Sequence, residues 1–377
     1  MHFPLEFADP ASLGLNVLGL NRMLGLIQRH IDEGRYPGAQ VAVARHGRLA
    51  LFESFGNARL DPERHAARDD TLWLLYSNTK VLTASAIWIL AERGALGYAD
   101  PIARHLPEFE RNGKGGITIT QLLTHQAGFP SAAVPPEAWS DHGLLRRVVS
   151  DFTLEWETGS RLVYHPLAAH WVAAAVIEAV AGMDYRTFIR DEVIEPIGLG
   201  ADLFVGLPEL QQKRAVDMHD PADGGGQNKR KEENTPEFRA AGVPGGGGYG
   251  TARGMAAFYQ MMLAGGRLNR TRLLSPRTIE YVTRNHTGDR IDEYMKMPMH
   301  RGIGPHSRGA TVAIRGLGSL ASPRTYRHGG VGSSYCWADP ESGVSFAYLT
   351  NSRAGEPWHS ERLEAISNCV HAAIEAA

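Results

Sequence analysis

Strand-like segments stand near both ends of this chain, and that arrangement constrains its fold more than any other feature. Near the N-terminus, AQVAVA and RLALFESF flank a turn at His46 and Gly47, which predicts a β-hairpin. Near the C-terminus, SYCWA and VSFAYLTN flank a second turn at residues 339–343. Helical periodicity covers the middle segments 81–96, 166–181 and 184–195. A helical region is therefore predicted to be inserted into a sheet domain.

Two further helices and one long loop complete the predicted organisation. Residues 13–33 and 358–375 have helical spacing of apolar side chains, which predicts amphipathic helices at both ends of the chain. Residues 219–250 are polar and rich in glycine, so we expect them to contribute nothing to the core. That loop is either a mobile border of an active site or a surface excursion.

Charge and cysteine content exclude several classes of function. With 39 Lys and Arg against 41 Asp and Glu, the 377-residue chain has a net charge of -2, which disfavours nucleic-acid binding. The sequence has no run of about 18 apolar residues, which a membrane span would need, and no signal peptide is evident. We therefore expect a cytoplasmic protein. Cys336 and Cys369 lack the spacing of a disulfide framework or a thiolate metal site. We predict neither a metal nor another cofactor, and the oligomeric state stays open.

The segment LWLLYSNTKVLTASAIWILAERG carries the first candidate chemistry, because Ser77 and Lys80 lie one helical turn apart. A surface pair is the ordinary alternative for such spacing. However, Lys80 shares a stripe with Ala84 and Ile87, and no carboxylate precedes Glu92 on this helix. We therefore expect Lys80 to be buried. Desolvation lowers the pKa of a buried lysine, which would let it activate the neighbouring serine.

A serine nucleophile also needs a proton relay and donors for the developing oxyanion. Tyr164 is a candidate relay, because Pro166 disfavours helix at His165 and holds the tyrosine in a loop. A loop tyrosine can also be a packing residue. In TYRHGGVGSS, Gly329 and Gly330 would leave a strand edge open to a substrate, although a glycine pair can equally mark a bulge.

These three places, in this order, resemble the serine hydrolase family of class C β-lactamases, DD-peptidases and family VIII carboxylesterases, over nearly the whole chain. The motifs are Ser77-Asn78-Thr79-Lys80 for S-x-x-K, Tyr164-His165-Pro166 where the family often has Y-x-N, and His328-Gly329-Gly330 for K-T-G. The segments ITITQLLTHQAGFP, VPGGGGYGTARGMAAFYQMML and HGGVGSSYCWADPESGVSFAYLTN add to the resemblance.

The resemblance implies an α+β fold in which an antiparallel sheet is flanked by helices and carries an inserted, mostly helical domain. Residues 1–85 and 272–377 would form the sheet domain, and residues 86–271 the helical domain. A catalytic groove would lie where they meet. No G-x-S-x-G motif occurs, which counts against the α/β-hydrolase fold.

The resemblance also assigns roles. Ser77 would be the acyl-accepting nucleophile, Lys80 its activator and Tyr164 the general base and later proton donor. The backbone amides of Ser77 and Val331 would form the oxyanion hole, and His328, Gly329 and Gly330 would contact the substrate.

Two departures from the family motifs bear on the substrate. Pro166 replaces the asparagine of the second motif, and His328 replaces the lysine of the third. The loss of this asparagine and this lysine favours neutral, short-acyl carboxylic esters over penicillins. A β-lactamase or DD-peptidase activity is the alternative, and a non-catalytic ligand-binding protein of the same fold is a further one.

Other motifs carry weaker predictions. Residues 245–250 match G-x-G-x-x-G, but no strand precedes them as a dinucleotide fold requires. His125 follows a short helix, where capping or packing explains it better than catalysis. A solvated acidic loop, rather than a metal site, is predicted for Asp217, His219, Asp220 and Asp223.

Overall fold

The computed structural model describes residues 2–310 and 316–375. Its α-helices, in chain order, are α1 (Val17–Asp32), α2 (Thr79–Glu92), α3 (Ile119–Leu123), α4 (His142–Asp151), α5 (Ala168–Ala181), α6 (Tyr185–Phe188), α7 (Glu209–Gln212), α8 (Pro236–Ala241), α9 (Ala252–Leu263), α10 (Pro276–Thr283) and α11 (Trp358–Ala372). Short 3-10 turns lie at Pro10–Leu13, Tyr76–Asn78, Ile102–Arg104, Pro107–Gly113, Pro136–Ala138 and Glu195–Ile197, and a π-helical turn at Ile189–Ile194.

The strands, in chain order, are β1 (Glu6–Phe7), β2 (Gly38–Arg45), β3 (Arg48–Arg59), β4 (His65–Ala66), β5 (Trp73–Leu74), β6 (Leu203–Val205), β7 (His219–Pro221), β8 (Gln227–Lys229), β9 (Gly248–Gly250), β10 (Arg267–Leu268), β11 (Thr271–Arg272), β12 (Ile291–Asp292), β13 (Met297–Pro298), β14 (His300–Arg301), β15 (His306–Ser307), β16 (Tyr326–Gly329), β17 (Tyr335–Asp339) and β18 (Val344–Thr350). The main sheet has the order β1-β3-β2-β18-β17-β16-β15-β14, with β4 paired to β3. All of its pairs are antiparallel except β1 with β3.

Helices cover both faces of the main sheet, which explains why β2 and β18 are buried along their whole length. On β18, Phe346 and Tyr348 belong to the core shared with α1 and α11, whereas Ala347 and Leu349 belong to the other large core. Alternate side chains of a strand point to opposite faces. Small residues face α9, which packs against β2 and β18, and this lets the helix approach the sheet closely.

Helix α2 is buried from Thr79 to Leu90. A helix that is apolar on all sides belongs in a core rather than at a surface. It packs against α5 and α10, and the small sheet β5-β9-β6 lies beside its first turn, where Gly248 N donates to Thr79 Oγ1 over 2.9 Å. The start of α2 is therefore fixed between the helical part and the sheets.

The predicted α+β class is confirmed, as are the two hairpins, β2 with β3 and β17 with β18. The long central helix ends at Glu92 rather than at residue 96. The division into residues 1–85 plus 272–377 and residues 86–271 stays a prediction. Within the described ranges, no helix has the length and apolarity that a membrane crossing requires.

The prediction that residues 219–250 contribute nothing to the core is wrong. Strands β7 and β8 form a hairpin, α8 follows, and Val243 and Tyr249 are fully buried parts of the large core. The glycines of β9 are needed for close packing, because a Cβ on Gly248 would lie 2.7 Å from Thr79 Oγ1. Composition suggested solvent exposure here, but these glycines allow backbone to pack against backbone and side chains.

The solvated acidic loop predicted for Asp217, His219, Asp220 and Asp223 is wrong at Asp217 and His219, which are buried, whereas Asp223 is exposed. Asp217 accepts a hydrogen bond from Arg239 over 2.9 Å and pairs with Lys229 at 2.7 Å. Asp220 pairs with Arg230 and Arg353. These carboxylates tie the β7–β8 hairpin to its neighbours through ion pairs.

Candidate active site

Ser77 lies in the 3-10 turn that leads into α2. Asn78 anchors this turn, because its Nδ2 donates to Ser334 Oγ over 2.9 Å. Tyr76 has a φ of 43°, a conformation that residues other than glycine rarely adopt and that often occurs at functional turns. The hydroxyl of Ser77 thus lines a cavity at the start of the helix.

Lys80 is fully buried, which confirms the expectation from the sequence. Its Nζ lies 3.1 Å from Ser77 Oγ and donates to Pro166 O and Gly245 O, each at 2.6 Å. Burial, together with the charge of Arg301, holds the pKa of Lys80 well below its usual range. If Lys80 is neutral and gives its two hydrogens to these carbonyls, its lone pair would be free to face the serine.

Tyr164 approaches the same hydroxyl from the other side, and its OH donates to Ser77 Oγ over 2.9 Å. The structure therefore brings together the three residues predicted for catalysis. Burial raises the pKa of Tyr164 to about 12, while the hydrogen bond with Ser77 and the charge of Arg301 oppose that rise. Tyr164 thus keeps its proton at neutral pH, which makes it better suited to donate a proton than to remove one.

Arg301 and Asp292 form a buried ion pair behind Tyr164 that the sequence analysis missed. The guanidinium carbon of Arg301 lies 5.0 Å from the centroid of the Tyr164 ring. Asp292 Oδ1 accepts a hydrogen bond from Tyr164 N over 3.3 Å and from Tyr294 N over 3.0 Å. The pair therefore fixes both the backbone and the electrostatic environment of the tyrosine.

Three histidines complete the surroundings of Tyr164. The rings of His125, His306 and His328 lie 4.7, 6.3 and 6.5 Å from its ring, between centroids. Burial and the nearby cations hold the pKa of all three well below the usual histidine range, with burial the larger cause. They are neutral at pH 7, so the positive charge around the tyrosine comes from other groups.

His328 borders the cavity, as expected for a residue that contacts the substrate, but it is only 1% exposed. Its Nδ1 accepts a hydrogen bond from Gly329 N over 2.9 Å. Among the residues that the structure describes, none forms a hydrogen bond with its Nε2. Because the imidazole is buried and neutral, His328 does not reproduce the lysine cation of the third family motif.

Gly329 and Gly330 form the strand edge of the cavity, followed by Val331, whose side chain is exposed. A Cβ on Gly330 would lie 2.2 Å from Ser334 Oγ and 2.8 Å from Leu75 O. Only glycine lets this strand end approach the turn that carries Ser77. The oxyanion-hole role of the Ser77 and Val331 amides stays a prediction.

The cavity that contains Ser77 has a volume of about 390 Å³. The large apolar side chains that line it belong to Tyr294, Met295, Met297, Tyr335 and Leu363. This size suits a small substrate. The lining of the cavity combines apolar side chains with a few polar groups around Ser77.

The residues that were missed share one property, namely that their segment shows no periodic pattern. Asp292, Arg301 and His306 belong to β12, β14 and β15, each of which has only two residues. The high density of charged residues and histidines in residues 286–308 was the one signal that could have marked this segment.

The sequence of this chain also matches a known protein family over most of its length. A family model described as "Beta-lactamase" matches residues 24–368. The chain belongs to the β-lactamase family. The resemblance carried by the three motifs is thereby confirmed, and the protein is a serine hydrolase of the β-lactamase fold.

The names of individual relatives point to different activities. "Esterase/beta-lactamase LipL" of Mycobacterium tuberculosis is 28% identical over 313 residues, which cover 75% of this chain and 70% of that protein. A solved penicillin-binding protein homologue from Caulobacter crescentus superposes with a TM-score of 0.82 at 25% identity, over 96% of this chain and 99% of that one. A solved family VIII carboxylesterase superposes with a TM-score of 0.80 at 26% identity, over 94% and 99% of the two chains.

Proposed function

We propose that this protein is a serine carboxylesterase that forms an acyl-enzyme on Ser77. The observation that carries the proposal is the position of Ser77 Oγ, 3.1 Å from Lys80 Nζ and 2.9 Å from Tyr164 OH. A nucleophile between a proton acceptor and a proton donor is the arrangement that acyl transfer requires. No cofactor is needed for this chemistry.

In the first half-reaction, Ser77 Oγ attacks the ester carbonyl carbon while neutral Lys80 takes the serine proton. The tetrahedral oxyanion would be held by the amides of Ser77 and Val331. When the intermediate collapses, the C–O bond to the alcohol breaks and Tyr164 gives its proton to the leaving oxygen. Tyr164 regains a proton from the Lys80 ammonium, which returns both groups to their resting state.

In the second half-reaction, water takes the place of the alcohol. Its oxygen attacks the acyl carbon while a proton passes to the Lys80–Tyr164 pair. The bond between the acyl carbon and Ser77 Oγ then breaks, and the serine regains a proton from the same pair. The products are the carboxylic acid and the free enzyme, so the balance needs only ester and water.

Two features support an ester rather than a β-lactam substrate. Pro166, at the position of the second-motif asparagine, has no side-chain amide and instead offers its carbonyl to Lys80. His328 places a neutral ring where β-lactamases have a lysine. The name of LipL includes esterase activity, and one solved neighbour is a family VIII carboxylesterase. The Caulobacter neighbour favours the second candidate, a DD-peptidase or β-lactamase activity.

The test is labelling with a serine-directed phosphonate, followed by mass spectrometry and assays on para-nitrophenyl esters and a chromogenic cephalosporin. We expect stoichiometric modification of Ser77 and faster turnover of the esters. Ser77→Ala should lower ester turnover by about 10⁴- to 10⁶-fold. Ser85→Ala is the matched control, because Ser85 lies on the same helix and donates only to Val81 O.

The absence of labelling, or an S77A variant within tenfold of the parent, would contradict the nucleophile and favour a non-catalytic binding protein. A higher kcat/KM for the cephalosporin than for every ester would favour the second candidate instead.

A further inference from the structure

Arg327 is a cation at the wall of the nucleophile's cavity that the chemistry above does not use. It lies on β16 directly before His328 and is 7% exposed. Among residues 2–310 and 316–375, no carboxylate lies within ion-pair distance of its guanidinium, and its Nε has no hydrogen-bond partner. A buried guanidinium without a counter-ion is rare, because guanidinium stays charged and is costly to desolvate.

Tyr335 and Gly329, which also line the cavity, are neighbours of the Arg327 guanidinium. The group lies over the ring of Tyr335, 5.2 Å from the ring centroid, which fixes its orientation. Its Nη1 lies only 3.6 Å from the place that a Cβ of Gly329 would occupy. Because glycine has no side chain, the strand edge beside the nucleophile does not cover this nitrogen.

No other charged group of the described site neutralises Arg327. Arg301 is itself a cation and is paired with Asp292, and Lys80 is basic and is held by backbone carbonyls. Glu356 also borders the cavity, but it is exposed and accepts hydrogen bonds from Ser360 N and Oγ, at 3.2 and 2.9 Å. The cavity therefore has one buried guanidinium whose charge is not matched within the described structure.

We propose that Arg327 binds a carboxylate of the substrate, so that the natural ester is anionic. This inference rests on the proposed esterase function. A guanidinium offers two parallel donors that match a carboxylate in geometry as well as in charge. The carboxylate belongs either to the acyl part, as in a half-ester of a dicarboxylic acid, or to the alcohol part. The expectation of a neutral substrate, which followed from the loss of the motif lysine, is thereby replaced.

The first experiment compares esters that differ only in one carboxylate. For the acyl side, para-nitrophenyl hydrogen adipate is set against para-nitrophenyl hexanoate. For the alcohol side, the hexanoate ester of para-hydroxybenzoate is set against that of methyl para-hydroxybenzoate. We expect kcat/KM to favour the anionic member of one pair. Arg327→Gln should lower kcat/KM for that anion by about tenfold to a hundredfold, mainly through KM, and leave the neutral ester unchanged.

Two further variants separate contact from long-range attraction. Arg324→Gln removes the same charge from an exposed position three residues earlier, and it should leave the preference for the anion unchanged. Arg327→Lys keeps the charge without the paired donors and should restore part of the preference. If neither pair shows a preference for the anion in the parent, or if R327Q leaves that preference intact, the inference is overturned.

A binding measurement keeps the inference separate from the esterase proposal. In the Ser77→Ala background, calorimetry would compare monomethyl adipate and monomethyl suberate with their neutral dimethyl esters, and para-hydroxybenzoate with its methyl ester. We expect tighter binding of at least one anion, and loss of that difference when Arg327→Gln is added. This result would uphold the inference even if the parent cleaved no ester. Equal affinity in both backgrounds for every pair would refute it.

Discussion

Replacing Arg301 with glutamine should shift the rising limb of the pH-activity profile toward alkaline pH. The charge of Arg301 lowers the pKa of both Lys80 and Tyr164. Without this cation both groups hold their protons more tightly. Lys80 is then neutral in a smaller fraction of molecules at pH 7, and Tyr164 becomes a weaker donor to the leaving alcohol.

The distance from Arg301 to Tyr164 sets the expected magnitude. The guanidinium carbon lies 5.0 Å from the Tyr164 ring centroid, and a full negative charge that develops on the tyrosine as it gives up its proton would interact with Arg301 over that distance by about 3 kcal/mol at an effective dielectric constant of about 20. An effect of that size corresponds to about 10²-fold in rate. The assay is kcat/KM for a neutral para-nitrophenyl ester between pH 5 and 10, together with thermal unfolding. We expect the largest loss below the rising limb and a smaller loss above it.

Arg301→Lys is the matched control, because it keeps a positive charge beside Asp292. The glutamine variant leaves a buried carboxylate unpaired, which typically costs about 3 to 5 kcal/mol of folding free energy, so both variants are assayed below their unfolding transitions. The reasoning is refuted if R301Q keeps the parent's limb. It is also refuted if R301K moves the limb as far as R301Q does.

Two other predictions concern the tyrosine and the glycine edge. Tyr164→Phe should lower ester turnover by about 10²- to 10⁴-fold with little change in Tm, because it removes the proton donor and keeps the ring packing; near-parent activity with the same pH profile would mean that Tyr164 only packs. Gly330→Ala should lower both Tm and turnover, because its Cβ would lie 2.2 Å from Ser334 Oγ and 2.8 Å from Leu75 O. Gly116→Ala, at an exposed position with nothing within 4 Å of the new Cβ, is the control, and equal Tm values for the two variants would contradict this account of close approach.

The part of the site that could be predicted from the sequence is local. Ser77 and Lys80 lie one turn apart, and the apolar stripe around Lys80 was enough to predict its burial. The two hairpins were equally readable, because each depends on a turn and on the strands beside it. Such features depend on neighbours in the chain and need no knowledge of tertiary contacts.

The part that could not be predicted depends on contacts between distant segments. Residues 286–308 form short strands at the edge of the main sheet, and their position there brings Arg301 to Tyr164. The same limit explains the error at residues 243–250. A glycine-rich sequence can be a solvated loop or a closely packed strand, and only the neighbouring elements decide which of the two it becomes.

The electrostatics of the site show the same limit in one pair of residues. A lysine that activates the serine is expected to have a depressed pKa, whereas a lysine that lowers the pKa of Tyr164 is expected to stay charged. These two expectations conflict, because a lysine neutral enough to accept a proton cannot at the same time serve as a constant cation. Arg301 resolves the conflict, since a guanidinium stays charged when buried beside a carboxylate. In the proposed mechanism, this division leaves Lys80 free to accept the serine proton and leaves Tyr164, with its pKa of about 12, as the group that carries a proton at neutral pH.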